Sequence, residues 1–153
     1  MRVCIGGTFD LLHKGHKLLI NKAFQMAGKQ GSIFIGITTG EIIRGKRDIK
    51  PFEERKKAVE QYLYEKGFIE RAIVKPITDK YGPSIEEEFD ADAIVISPET
   101  RKTAEEINEK RKQNGIKQLK IIQIPFVLAE DGHPISSSRI RKHEIDEDGR
   151  LLS

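Results

Sequence analysis

Short apolar runs alternate along the chain with longer stretches in which apolar residues recur every three or four positions. Val3-Cys4-Ile5 reads as a short buried strand. From Lys17 to Ala27 the apolar positions Leu19, Ile20, Ala23, Phe24 and Ala27 mark a helix with a broad buried face, closing near Gly28. Ser32 to Thr38 is almost continuously apolar, as expected of a strand covered on both faces. A helix opening at Pro51-Phe52, with Pro in its favoured early position, buries Val59, Tyr62 and Leu63. Ile69 to Val74 is the third strand, ending at Lys75-Pro76, and a short helix follows from Ser84 to Phe89. Ala93 to Ile96 is the fourth strand. The next helix starts at Ser97-Pro98-Glu99-Thr100, capped by Thr100 or Ser97, and runs to about Asn114. It is polar nearly all round and reads as a surface element, with Glu106 and Lys110 spaced for a salt bridge. Leu119 to Ile124 is the fifth strand, stopped by Pro125. A final helix starts within Ile135 to Arg141. Strand, helix, strand at these separations implies right-handed parallel crossovers.

Composition narrows the picture. The 153 residues suffice for one domain, 1–153, with a sizeable core. The 27 basic and 24 acidic residues leave a net charge of +3, a mixed solvated surface rather than a nucleic-acid footprint. The lone cysteine excludes an intrachain disulfide and fits a reducing, cytoplasmic setting. No apolar run reaches membrane-spanning length and no signal peptide precedes the first strand, so neither membrane nor nucleic acid is expected as a partner. A monomer is the default expectation. Abundant Lys and Glu hint at a thermophilic origin.

The chemistry gathers at the ends of the strands. Gly6-Gly7-Thr8-Phe9-Asp10 breaks the first strand and feeds a helix, the arrangement in which backbone N–H groups meet a phosphate. His13-x-Gly15-His16 follows. Two imidazoles there can donate to phosphate oxygens, and Gly15 permits close approach. Two other readings stay open. One is a metal site, for which only His133, His143 and Cys4 could complete the ligands; the other is a pair of capping or surface histidines without further role. The second strand leads into a basic loop with Arg44, Lys46, Arg47 and Lys50, placed where open parallel sheets bind ligands. The loop Ile77 to Ser84, holding Asp79 and Tyr81, also leaves a strand end and is long enough to shape a pocket. Ser136, Ser137 and Ser138 supply caps and hydroxyl donors, and Arg139 and Arg141 add charge that can pair with phosphate.

Gly7-Thr8-Phe9-Asp10 with His13-x-Gly15-His16 resembles the signature of the nucleotidyltransferases that share a Rossmann-like fold with class I aminoacyl-tRNA synthetases. That resemblance implies an α/β fold with an open five-stranded parallel sheet and helices on both faces. With Asp79-x-Tyr81-Gly82-Pro83, Ser97-Pro98-Glu99-Thr100, and Ile135-Ser136-Ser137-Ser138 with Arg141, the likeness narrows to the archaeal and eukaryotic type of phosphopantetheine adenylyltransferase. It implies ATP and 4′-phosphopantetheine as substrates, and dephospho-coenzyme A and pyrophosphate as products. The bacterial type has Arg-Gly-Leu-Arg where Ser97-Pro98-Glu99-Thr100 stands and a Thr at His13, so its arginine contacts do not carry over; Arg101 is a candidate replacement. The resemblance assigns Lys46, before Glu53-Glu54-Arg55, to the transferring phosphates, and Ser136 to Ser138 to the β- and γ-phosphates. ATP would be held by Gly7, Thr8, Phe9, His13, Gly15, His16, the three serines and Arg139, and the acceptor by Thr8, Lys46, Asp79 and Tyr81. His16, His13, Lys46 and Thr8 would carry the catalysis. Mg²⁺ is expected to arrive with ATP, bound mostly through water, with no protein cage of carboxylates. Transfer to FMN, nicotinamide mononucleotide or glycerol phosphate, or nucleotide binding without catalysis, are the alternatives.

Overall fold

The computed structural model describes residues 1–43 and 48–152. In chain order the elements are β1 (Arg2–Gly7), α1 (Lys14–Ala27), β2 (Ser32–Thr38), α2 (Phe52–Glu65), β3 (Ala72–Ile77), β4 (Ala93–Ile96), α3 (Arg101–Gln113), β5 (Lys120–Gln123) and α4 (Ser137–Arg141). The five strands form one parallel sheet in the order β3-β2-β1-β4-β5. The winding reverses between β1 and β4, the point at which open α/β sheets leave a crevice above their carboxyl ends.

Alternation along the strands splits the core in two. Val3, Ile5, Ile33, Ile35, Ile37, Ala93 and Val95 pack with α1 and α2 through Ile20, Ala23, Phe24, Val59 and Leu63. The intervening positions Cys4, Ile94 and Ile96 pack with Ala104 and Ile107 of α3. Helices therefore cover both faces, and each fully buried aliphatic side chain contributes about 1.5–3 kcal/mol. The sheet is not equally filled. Gly6 and Gly36 are register partners on β1 and β2, and both line a cavity on the α3 side.

Several elements differ from the sequence expectation. α1 begins at Lys14 rather than Lys17, because the His13 side chain caps it. β3 starts three residues later than expected, since Ile69–Arg71 forms a 3-10 turn, and it runs through Pro76 to Ile77. An edge strand tolerates proline because one side of its backbone has no partner. The helix expected from Ser84 to Phe89 is a 3-10 turn at Gly82–Ile85; Arg111 captures the carbonyl of Ser84, which a helix would use internally, and also reaches that of Phe89. Neither Ser97 nor Thr100 caps α3 through its side chain; the Thr100 hydroxyl donates to the Ser97 carbonyl instead, at 3.2 Å. Nor is α3 only a surface element. A strip of Ala104, Ile107 and Arg111 is buried, and Glu106 pairs with Lys80 rather than Lys110.

Candidate active site

At the carboxyl end of β1 the chain turns through Thr8 to Leu12 with positive φ at two non-glycine residues, Phe9 (51°) and Leu11 (50°). Such conformations cost free energy and persist where surrounding contacts hold them. Phe9 is buried, and its ring lies against the space that a side chain at Gly7 would take. Its ring also approaches that of His16, at 5.3 Å between centroids.

The two histidines form a reciprocal cap on α1. His13 Nδ1 accepts from the backbone N–H groups of Gly15 (3.0 Å) and His16 (3.4 Å), and His16 Nδ1 accepts from that of His13 (3.2 Å). The rings stack with centroids 3.7 Å apart. Gly15 is required by this fold-back: a Cβ there would sit 2.9 Å from His13 Cε1. Burial pushes His13 down to about 4; burial and then the neighbouring His13 push His16 down to about 3. Both rings are therefore neutral near pH 7. With each Nδ1 occupied as an acceptor, hydrogen-bond complementarity puts the single proton of each ring on Nε2. Capping and donation to a ligand are thus compatible, since they use opposite ring nitrogens.

Around this cap, distant segments are bolted together. Asp10, 2% exposed, accepts from the Lys50 N–H at 3.0 Å and pairs with Arg141, while its carbonyl accepts from the Ser137 hydroxyl. The serine segment is thereby held against the first motif. Ser136 caps α4, accepting from the Arg139 N–H at 3.2 Å, and Ser138 is exposed. Arg139 is engaged elsewhere: it pairs with Asp131 and Glu144 and donates to the Pro134 carbonyl. Its guanidinium holds the Asp131 carboxyl below the usual carboxylate range. Lys46, with Arg44 and Arg47, lies outside the described residues. Arg101 turns toward Glu105 and Gln123.

Below Thr8 a cavity of about 340 Å³ opens between the sheet and α3. Gly6, Gly36, Phe34 and Cys4 line it on the sheet side, Ala104 and Ile107 on the helix side, and Lys80, Tyr81 and Pro83 on the loop side. Burial pushes the Cys4 thiol up to about 12, so it stays protonated. The loop is shaped by Asp79, which accepts from the N–H groups of Tyr81 (2.9 Å) and Gly82 (2.7 Å). The Tyr81 hydroxyl donates to Glu106 at 2.8 Å, and Lys80 reaches the same carboxylate at 2.7 Å. Asp79 therefore builds the loop, and Tyr81 is the member of that pair which faces the cavity. Two buried arginines went unread in the sequence. Arg55 donates to the carbonyls of Thr8, Thr38 and Lys50, and Arg111 to those of Lys117 and Ser84. Each sits in a helix at a position whose neighbours one turn away are buried, the one signal that could have found them.

Residues 4–143 match the model of the cytidylyltransferase-like family. The chain belongs to that family of nucleotidyltransferases. Among its curated relatives, a phosphopantetheine adenylyltransferase of Methanopyrus kandleri is 46% identical over 95% of this chain and 91% of that protein. One from Methanosarcina mazei is 43% identical over 98% of this chain and 96% of that protein. A solved tyrosyl-tRNA synthetase from Archaeoglobus fulgidus superposes with a TM-score of 0.63 at 15% identity, over 90% of this chain and 59% of that one, a likeness of fold alone. No helix among the described residues is long and apolar enough to cross a membrane. The family's matched stretch runs from β1 to just past α4, so it spans both the histidine cap and the serine segment.

Proposed function

We propose that this nucleotidyltransferase moves AMP from ATP to 4′-phosphopantetheine, releasing pyrophosphate and forming dephospho-coenzyme A. The observation that carries the reading is the pair of capped histidines whose Nδ1 atoms are occupied and whose Nε2 atoms have no partner among the described residues, at the strand end that also forms the mouth of a mainly apolar cavity. The cavity suits the arm of the acceptor. From Gly7 to Cys4 along β1 it reaches about 10 Å deep, at about 3.3 Å per strand residue. Its lining is apolar enough for an extended pantetheine chain, and the protonated Cys4 at depth is a poor nucleophile toward a disulfide. The names of the relatives agree with this substrate pair.

The acceptor phosphate is already anionic at neutral pH and needs no general base. One of its oxygens attacks the α-phosphorus in line; the new O–P bond forms as the bond from that phosphorus to the β-phosphate's bridging oxygen breaks, and the electron pair leaves with pyrophosphate. The protein's work is to orient the partners and stabilise the charge that spreads over the transferring group. In this reading His16 donates from Nε2 to an α- or β-phosphate oxygen with His13 beside it. Gly7, Phe9 and Gly15 shape the backbone against the nucleotide, and Thr8 holds acceptor and α-phosphate together. Lys46 neutralises the transferring phosphates. The hydroxyls of Ser136, Ser137 and Ser138 grip the leaving pyrophosphate, Ser137 by releasing the Asp10 carbonyl to which it donates, and Arg139 joins them by trading its carboxylate partners for phosphate oxygens. The Mg²⁺ we propose is the one that travels with ATP as part of the substrate.

Pyrophosphate release tests this. With ATP, CTP, 4′-phosphopantetheine, FMN, nicotinamide mononucleotide and glycerol 3-phosphate in all pairings, turnover is expected with ATP and 4′-phosphopantetheine alone. Turnover with another pair overturns the acceptor assignment; none at all overturns the catalytic one.

A further inference from the structure

We propose that Thr38 and Arg55 are positioning residues that set the hydroxyl of Thr8 for the transfer step. The inference rests on the reading that Thr8 touches the reacting phosphates, and it adds what makes that contact directional.

β1 and β2 end side by side. Gly7 and Ile37 are register partners, so Thr8, the first residue past β1, lies beside Thr38, the last residue of β2. The Thr38 hydroxyl donates to the Thr8 hydroxyl at 3.0 Å. A threonine hydroxyl is normally a free rotor with one proton and two lone pairs. Once Thr8 accepts from Thr38, its own proton must point away from Thr38. Both residues line the rim of the cavity, so that proton is available to a phosphate oxygen seated there. Thr38 thus turns Thr8 from a rotor into an oriented donor, a form of preorganisation that costs nothing at the moment of reaction.

The backbone beneath is clamped by Arg55. A single nitrogen, Nη1, donates to the carbonyls of Thr8 (2.9 Å) and Thr38 (2.7 Å), and Nε donates to the Lys50 carbonyl (2.8 Å). The side chain is 1% exposed, and burial pulls its pKa down, with Asp10 opposing. Its Nη2 is buried without a hydrogen-bond partner among the described residues. A buried guanidinium with an unsatisfied donor is a costly way to join two strand ends, and an apolar residue would fill the space without that cost. What the guanidinium supplies is a fixed spacing between the carbonyls of Thr8 and Thr38; Thr8 immediately precedes the turn through Phe9 and Leu11, whose positive φ values leave it prone to relax. Arg55 fixes the two backbones, and Thr38 then fixes the hydroxyl.

A double-mutant cycle in the full chain decides the matter. Wild type, Thr8→Val, Thr38→Val and the double variant are assayed by pyrophosphate release, with kcat and KM taken for each substrate. Thr38→Val alone is expected to lower kcat about tenfold, as for a lost oriented donor, while KM for ATP stays within about twofold. In the Thr8→Val background the same change is expected to cost nothing further. Thr38→Ser, which keeps the hydroxyl, is expected to restore most of kcat. Arg55→Lys keeps the charge but cannot hold both carbonyls and Lys50 at once, and is expected to lower kcat similarly. Thermal melting of each variant separates misfolding from mispositioning. Full additivity of Thr8→Val and Thr38→Val, or wild-type kcat in Thr38→Val, overturns the role of Thr38; wild-type kcat in folded Arg55→Lys overturns that of Arg55. If the wild type turns over no substrate pair, the function reading fails by itself. The cycle is then read by calorimetric binding of 4′-phosphopantetheine, where non-additivity supports the coupling and additivity overturns it.

Discussion

The two halves of the site are built in different ways. At the β1–α1 junction the histidine cap itself is local: His13 and His16 cap each other's backbone across two or three positions. At the cavity roof the contacts are long-range: Tyr81 reaches Glu106 across 25 positions, and Arg111 reaches Ser84 across 27. The local half is stiff because its side chains satisfy a helix end that would otherwise be open. The roof is held by a few side-chain bonds between a loop and α3, most of them near the surface. A nucleotide's phosphates need fixed donors, whereas a long flexible arm needs room and a cover that closes. The difference in construction matches that difference in need.

The largest effect is expected where the local half is cut. His16→Ala should lower kcat by about a hundredfold or more, the scale of losing one preorganised donor at developing charge, with ATP still bound. Because alanine also removes a cap, His16→Asn is the sharper variant: it keeps an acceptor for the His13 N–H but has no imidazole Nε2. Stability close to wild type with kcat still low separates the cap from the chemistry. Near-normal turnover in either variant would sink the role of His16 and with it the comparison.

Gly6→Val comes next and strikes the other half. A Cβ at Gly6 meets nothing closer than 3.7 Å, so the backbone accepts a side chain that then occupies the cavity floor. KM for 4′-phosphopantetheine should rise about tenfold or more while KM for ATP holds, as when one well-placed apolar contact is replaced by a clash. Equal loss for both substrates would show that the cavity does not hold the arm.

The same contrast decides what could be read from the chain alone. The two segments that meet in the fold, Gly6 to His16 and Ile135 to Arg141, stood out in the sequence because residue type and spacing are concentrated there. Cap reciprocity was not legible, since the His-x-Gly-His spacing also fits metal ligands or unrelated surface histidines. Strands β2 and β4 followed directly from their unbroken apolar runs. β3 was read as a strand but three residues early at each end, because an edge strand with exposed Ile73 tolerates Pro76 and blurs its own limits. Arg111 and Glu106 were read as ordinary helix charges, and Arg55 only as part of the Glu53-Glu54-Arg55 segment. Their partners are backbone carbonyls or loop side chains brought near only by the fold, which no local pattern reports.

A smaller effect separates the halves by pH. His13 and His16 titrate in the folded chain at about 4 and about 3, below the ordinary 6.5. The unfolded chain therefore binds more protons between these values, and the histidines' contribution to stability, complete above about 6.5, is lost as pH falls through 4 and toward 3. Each fully linked proton costs at most about 1.4 kcal/mol per pH unit. His13→Asn keeps a good N-cap residue and removes one titration, so its urea midpoint should fall less steeply than the wild type's between pH 6.5 and 4. Parallel slopes would mean that the His13 ring is charged, or exposed, in the native state. By the same logic the histidines should add no acidic limb to kcat/KM near 6.5 beyond the one set by the substrates' own phosphates, whose second pKa is about 6.

The smallest effect is expected at the roof. Glu106→Gln keeps the size of the side chain and its ability to accept from the Tyr81 hydroxyl, but it removes the charge that Lys80 pairs with. An exposed ion pair of this kind is worth little by itself. KM for 4′-phosphopantetheine should shift only about twofold, and kcat should not change. Glu106→Ala removes the tyrosine's acceptor as well and should raise that KM further, to about fivefold, the loss expected for one neutral hydrogen bond. The ordering matters more than either value. If glutamine is as damaging as alanine, the roof is held by charge and should loosen in high salt. If alanine lowers kcat as well as raising KM, the roof is part of the phosphate machinery, and the division into a stiff half and a covering half is wrong.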